Sequence, residues 1–160
     1  MNVELINPFL SATSNVLSTM AQTVPTPGKP TIKKGNMTWG VVTGVIGMAG
    51  DDMSGNMVIS FDEKSILAIV SKMLMEEFKE LNKDVLDAVG ELTNMISGGA
   101  KKDLSEKGYS FNMATPMMIK GENVEIQQLT TAVVLQVPFT IPEGKFVVEA
   151  NLAPRTPAKK

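Results

Sequence analysis

The stretch of sequence that decides the fold is DVLDAVGELTNMISGGAKKDLSEK, residues 84–107. Read at 3.6 residues per turn, it has an apolar side with steps of four, three and four residues, made by Val85, Val89, Leu92 and Ile96. This side predicts a long helix that packs on a core. Gly108 follows it, at a position where glycine commonly ends a helix.

The opposite side of this helix is polar. Asp87, Glu91, Asn94 and Gly98 also step by four, three and four residues, so they form the line that we expect to be most exposed. A polar exposed line is ordinary, and the two carboxylates alone need no explanation. The asparagine is less ordinary, because its amide competes with the helix backbone for hydrogen bonds.

Three glycines, Gly90, Gly98 and Gly99, also fall inside the helix, each at a cost of about 1 kcal/mol relative to alanine. Glycine lets another backbone approach closely, so a polar line that ends in a glycine patch suits docking to a partner. Two alternatives stay open from composition and spacing. The line is a plain solvated surface, or the helix breaks at Gly98-Gly99 and a separate short helix follows.

The rest of the chain supplies further helices and several strands. We expect a helix from about Asn7, a stiff three-proline connector at 23–30, and a β-hairpin within 31–61 that turns at 50–55. Asp62 predicts the start of a second helix, with a solvated end at 76–80. Glycines at 40–47 are expected where a neighbour packs closely on a strand, or at bulges. Four later strands are predicted, at 109–114, 124–126, 130–137 and 145–152.

This order predicts an α+β fold, a largely antiparallel sheet with helices packed on one face. Its 160 residues fit one domain, which we place at 1–153, with a disordered tail at 154–160. Twelve methionines indicate a soft core or, alternatively, an adaptable contact surface.

Composition narrows the possible chemistry. The chain has no cysteine and no histidine, so it lacks the thiolate nucleophile, the usual proton shuttle and the commonest zinc ligands. A net charge of -2 gives no reason to expect nucleic acid or an anionic membrane as a partner. The N-terminus reads as neither a signal peptide nor a membrane span, and we expect a cytoplasmic protein.

The helix resembles a known signature. Asp87-x-x-x-Glu91-x-x-Asn94, continued by Met95-Ile96-Ser97-Gly98-Gly99-Ala100, is similar to the motif of the CheC, CheX and FliY phosphatases of bacterial chemotaxis. Their pattern has a proline about twenty-two residues after the asparagine, a position for which Pro116 is the candidate. The first helix lacks a second copy, since 11–15 contain no acidic residue, and this single copy favours a CheX-like protein.

The resemblance implies a phosphatase that acts on the phosphorylated aspartate of a CheY-type response regulator. It implies that Asn94 orients the attacking water and that Glu91 docks on the regulator's lysine, whereas Asp87, Gly98, Gly99 and Pro116 contact the partner. It implies no cofactor in this chain, because the Mg²⁺ belongs to the regulator, and it implies a homodimer formed through sheet edges.

Two other functions compete with this one. The same face could belong to a non-catalytic adapter that binds a response regulator or a flagellar switch component. Alternatively, the motif is accidental and the chain is a structural or small-molecule-binding domain, in which case Asn94→Ala would be nearly silent.

Overall fold

The computed structural model describes residues 3–51, 53–127 and 132–154. A short 3-10 helix, Val3–Leu5, precedes the other elements. These are α1 (Asn7–Ala21), β1 (Thr26–Pro27), β2 (Thr31–Ile32), β3 (Val42–Ala49), β4 (Met53–Phe61), α2 (Glu63–Leu74), α3 (Lys83–Glu106), β5 (Asn112–Met113), β6 (Met117–Lys120), β7 (Leu135–Ile141) and β8 (Gly144–Pro154).

All the strands pair antiparallel in one sheet. Its order is β1-β7-β8-β4-β3-β5, with β2 also paired to β7 and β6 also paired to β3. The long central strands are β4, β8 and β3, and each edge is finished by two short strands. This arrangement confirms the predicted α+β class with a largely antiparallel sheet.

One face of the sheet and the three helices enclose the core. Alternate residues of the central strands point into it, as the period of two in a β-strand requires. Phe146 shows this packing, with its ring centroid 5.0 Å from that of Phe139 and 5.3 Å from that of Phe61. The apolar side of α3 is fully buried against this face, as predicted.

α3 lies very close to β3 at Gly44. A Cβ atom at Gly44 would collide with the Thr93 hydroxyl and would lie 3.1 Å from Thr93 Cβ and 3.3 Å from Val89 Cγ1. The Thr93 hydroxyl is fully buried there and donates to the Val89 carbonyl at 2.7 Å. The expectation that a neighbour packs closely on a glycine of this strand is therefore confirmed at Gly44.

Two irregular segments, one around Thr38 and one around Val124, cover part of the second face of the sheet. Thr38 donates its backbone N–H to the Val124 carbonyl, and its hydroxyl accepts from the Val124 N–H. Beside them Lys33 forms a buried ion pair with Glu149 at 2.8 Å, and Gln136 donates to the same carboxylate at 3.0 Å. These contacts fasten the segment after β2 to the sheet.

Side-chain caps start both α2 and α3, and the cap of α2 is Asp62, as predicted. Asp62 Oδ1 accepts from the Ser65 N–H at 2.8 Å, and Asn82 Oδ1 accepts from the Val85 N–H at 3.0 Å. α2 ends earlier than expected. Its last residue is Leu74, and Met75 adopts a left-handed conformation with φ of 54°, so 76–80 lie outside the helix.

The smaller strands differ from the prediction. Segment 124–126 makes one isolated bridge, Met37 to Glu125, instead of a strand, and the proline connector contributes Thr26–Pro27 as a strand. The predicted strand 130–137 is observed as β7, Leu135–Ile141, although its first two residues lie outside the described part of the chain. Pro154 ends β8, and the remainder of the predicted tail also lies outside the described residues.

Among the described residues, no helix combines the length and the apolar character that crossing a bilayer requires.

We expect Gly44→Ala to lower the free energy of unfolding by about 1–3 kcal/mol, because the added methyl group must push Thr93 and α3 away from β3. Urea titration followed by far-UV circular dichroism measures this change.

Gly47→Ala is the matched control, since it places the same methyl group on the other face of the same strand. There it would lie 3.8 Å from Ala114 Cβ, an ordinary contact. Equal stability of both variants would show that the contact of α3 with Gly44 is not a tight one.

Candidate functional site

The helix that carries the candidate site is unbroken. α3 runs for 24 residues from Lys83 to Glu106, so the alternative of a break at Gly98-Gly99 is wrong. Just before the glycines, the Ser97 hydroxyl donates to the Thr93 carbonyl at 2.8 Å and to the Asn94 carbonyl at 3.1 Å. The polar line therefore lies on one continuous helix.

We call Asp87, Glu91, Asn94 and Gly98 the docking stripe. The three polar residues are exposed, and Gly98 is half-buried, with open space where its side chain would be. Residues three or four positions apart on a helix have Cβ atoms about 5–6 Å apart. A carboxylate and a carboxamide therefore face solvent side by side, at the middle of a rigid element.

The functional groups of the docking stripe are available for a partner. Across 3–51, 53–127 and 132–154, no hydrogen bond engages the Asn94 carboxamide and no salt bridge engages the carboxylate of Asp87 or Glu91. The carboxamide can both donate and accept, and the carboxylate can accept from a cation. Such groups can orient a water molecule and bind a lysine without forming a covalent intermediate.

The other two glycines of α3 face neighbours within this chain. A Cβ atom at Gly90 would lie 2.8 Å from Met118 Sδ, and one at Gly99 would lie 3.0 Å from Ala12 Cβ on α1. Gly99 is half-buried, and α1 uses the space beside it, so its place on the partner surface stays a prediction. The open glycine surface of the helix is therefore Gly98.

Pro116 lies half-buried between β5 and β6, in the strand region beside α3. The neighbouring residue Met118 was not identified from the sequence as part of the site. The structure places it against Gly90, with 37% of its surface exposed. Only the register of β6 on β3 brings it there, and no local sequence pattern reports that register.

The described residues contain no group of three acidic side chains that could hold a metal ion. The candidate site consists of the exposed Asn94 amide, the exposed carboxylates of Asp87 and Glu91, and the half-buried Gly98. Met118 borders it.

Comparison with known proteins agrees with this geometry. The family described as Chemotaxis phosphatase CheX matches residues 42–140. The CheY-P phosphatase CheX of Thermotoga maritima is 27% identical over 143 residues, which are 88% of this chain and 90% of that protein.

Solved structures extend the similarity over almost the whole chain. The CheC-like superfamily protein from Shewanella sp. PV-4 is 45% identical with a TM-score of 0.89, covering 96% of this chain and 99% of that one. The CheX–CheY–BeF3–Mg²⁺ complex from Borrelia burgdorferi matches with 32% identity and a TM-score of 0.76, covering 97% of this chain and 100% of that one. The family match includes β3, α3 and the site that they position, and we conclude that this chain belongs to the CheX family of chemotaxis phosphatases.

Proposed function

We propose that this protein removes the phosphoryl group from the phosphorylated aspartate of a CheY-type response regulator, in the cytoplasm. The observation that carries the proposal is the exposure of Glu91 and Asn94 on an unbroken helix of a CheX-family chain, where no described residue forms a salt bridge with Glu91 or a hydrogen bond with the Asn94 carboxamide. The related T. maritima protein is a CheY-P phosphatase, and the related Borrelia protein forms a complex with CheY.

In this proposal Asn94 orients the attacking water. The acyl phosphate is already labile, so hydrolysis requires a water molecule held in line with the phosphorus rather than a new nucleophile. A carboxamide suits this task because it both donates and accepts hydrogen bonds and carries no charge that would repel the phosphoryl oxygens. Positioning of this kind can lower a barrier by several kcal/mol.

Glu91 fixes the pose of the regulator by pairing with its lysine. Asp87, one helical turn earlier, contacts the partner, and Gly98 leaves room for the partner's backbone to approach. Pro116 borders the same surface. We place Gly99 at its rim, because α1 already fills the space beside it.

The reaction needs no cofactor from this chain, because the regulator brings the Mg²⁺. The Borrelia CheX–CheY complex contains both BeF3 and Mg²⁺, which supports a metal held at the regulator. We also propose a homodimer formed through a sheet edge. β7 itself is covered on its outer side by Thr26–Pro27, Thr31–Ile32 and a hydrogen bond from the Gly28 N–H to the Pro138 carbonyl. A second copy would therefore pair with the short strands that end the sheet among the described residues, β1 and β2 on one side and β5 and β6 on the other.

Asn94→Ala is expected to reduce the catalysed decay of the phosphorylated regulator by about 10²–10³-fold, since the variant loses the group that orients the water. Decay of the regulator of the same organism is followed after removal of the phosphodonor. Binding of the beryllofluoride-activated regulator should persist within a few-fold.

The control for this experiment is Asn15→Ala, which removes an exposed asparagine from α1. It should leave both decay and binding unchanged. If Asn94→Ala retained full activity, the assignment of the water-orienting role would be wrong. If the native protein bound the regulator without accelerating its decay, the protein would be an adapter.

Glu91→Gln should act mainly on binding, because it removes the charge and keeps the shape of the side chain. We expect the dissociation constant of the activated regulator to rise about thirtyfold or more, which corresponds to about 2 kcal/mol of binding free energy, as for a desolvated charge pair that loses one partner. Calorimetric titration at two salt concentrations should show weaker salt dependence in this variant than in the native protein. Glu106→Gln, an exposed glutamate at the end of the same helix, serves as its control. An equal loss with Glu106→Gln would argue against a specific lysine contact.

Gly98→Ala should raise the stability of the protein and lower its affinity for the regulator. The methyl group meets open space and improves helix propensity, so the free energy of unfolding should rise by up to about 1 kcal/mol. Affinity for the regulator should fall, because the methyl group stands where the partner's backbone approaches. Thermal unfolding and binding measured on the same samples test both effects. A variant that gains stability without losing affinity would remove Gly98 from the proposed docking surface.

A further inference from the structure

Two methionines border the docking stripe on opposite sides. Met118 lies on the β6 side, and Met95 follows Asn94 on the side that turns toward α1; each is 37% exposed. We propose that Met118 is a positioning residue that supplies an apolar contact to the response regulator beside Asn94. This inference rests on the proposed phosphatase function and adds a determinant of affinity to it.

The register of β6 directs Met118 toward α3. Met118 is the partner of Gly44 in the β3–β6 ladder, and Gly44 belongs to the face of the sheet on which α3 lies. Since side chains alternate along a strand, Met117 points to the other face. Consistent with this, Met117 lines an open cavity on the far side of the sheet, together with Val45 and Ala49.

Gly90 allows Met118 to lie along the helix. A Cβ atom at Gly90 would be 2.8 Å from Met118 Sδ and 3.2 Å from its Cε, closer than normal contact distance. Residue 90 comes three positions after Asp87 and four before Asn94, so it adjoins both on the helix surface. The thioether therefore occupies the flank between the first and the third polar residue of the docking stripe.

Met118 adds an apolar group to the docking stripe, whose side chains are polar. Exposed charges and amides define orientation and discriminate between partners, but the energy of an interface comes mainly from well-packed groups that exclude water. Methionine is flexible and polarizable, so it adapts to a partner's surface.

The test compares two neighbouring residues that point to opposite faces. Met118→Ala should raise KM for the phosphorylated regulator by about tenfold while kcat at saturation stays within about twofold, because a lost contact of about 1.4 kcal/mol weakens binding tenfold. Met117→Ala, which truncates a side chain that is 56% exposed, should leave both constants unchanged. Met118→Leu keeps an apolar side chain of similar volume and should restore most of the native KM.

Gly90→Ala provides a second, independent perturbation. It retains Met118 but displaces it, so KM should rise in this variant as well. In Gly90→Ala/Met118→Ala the alanine at residue 90 has no thioether to displace, so it should add little to the effect of Met118→Ala. Non-additivity of this kind identifies the two residues as one unit. Thermal unfolding of each variant identifies any loss that comes from the fold.

The proposal is overturned if Met118→Ala leaves KM unchanged, or if Met117→Ala raises it equally. It is also overturned if the rise in KM follows loss of folded protein, or if the two substitutions are additive. Failure of the phosphatase function itself would be distinct, because the native protein would then not accelerate decay at all. In that event, binding of the beryllofluoride-activated regulator still tests Met118, through the ratio of dissociation constants between Met118→Ala and Met117→Ala.

Discussion

α3 can lie on β3 as closely as it does because residue 44 has no side chain. The Thr93 hydroxyl and the Val89 side chain fill the space over Gly44, and this contact fixes the rotation of the helix about its own axis. With Val89 and Thr93 both against the sheet, Asn94 lies about 140° from the first and about 100° from the second around the helix axis, and therefore on the side away from the sheet. The outward direction of Asn94 is thus a consequence of how α3 packs on the core.

Each of the three glycines of α3 has a different environment. Gly90 leaves space for Met118, Gly99 leaves space for Ala12 on α1, and a Cβ atom at Gly98 would meet no described residue within 4 Å. The helix loses propensity at all three positions. At the first two, closer packing inside the chain compensates for that loss. At Gly98 no contact among the described residues does so, which is why we propose that this position faces the partner.

Sequence reasoning succeeded where the pattern is long and local. The apolar period of α3 and the exposure of its polar line depend only on helix geometry. Short strands were less predictable: 124–126 make a single bridge, and Thr26–Pro27 pairs at a sheet edge, because both depend on distant partners. The position of Met118 beside α3 could not be predicted for the same reason, because it depends on the register of β6 on β3. A sequence shows that a glycine lacks a side chain, but it does not show which neighbour uses the space.

Asn94 lies at the middle of α3, roughly three turns from the N-cap and a similar distance from the last helical residue. Fraying at either end of the helix does not reach it, and the buried side of the same turns is anchored in the core. Amide hydrogens of this segment should therefore exchange with solvent only when the whole domain opens. Heat should abolish activity and fold at the same temperature, with no partly folded state that retains the core but loses the site.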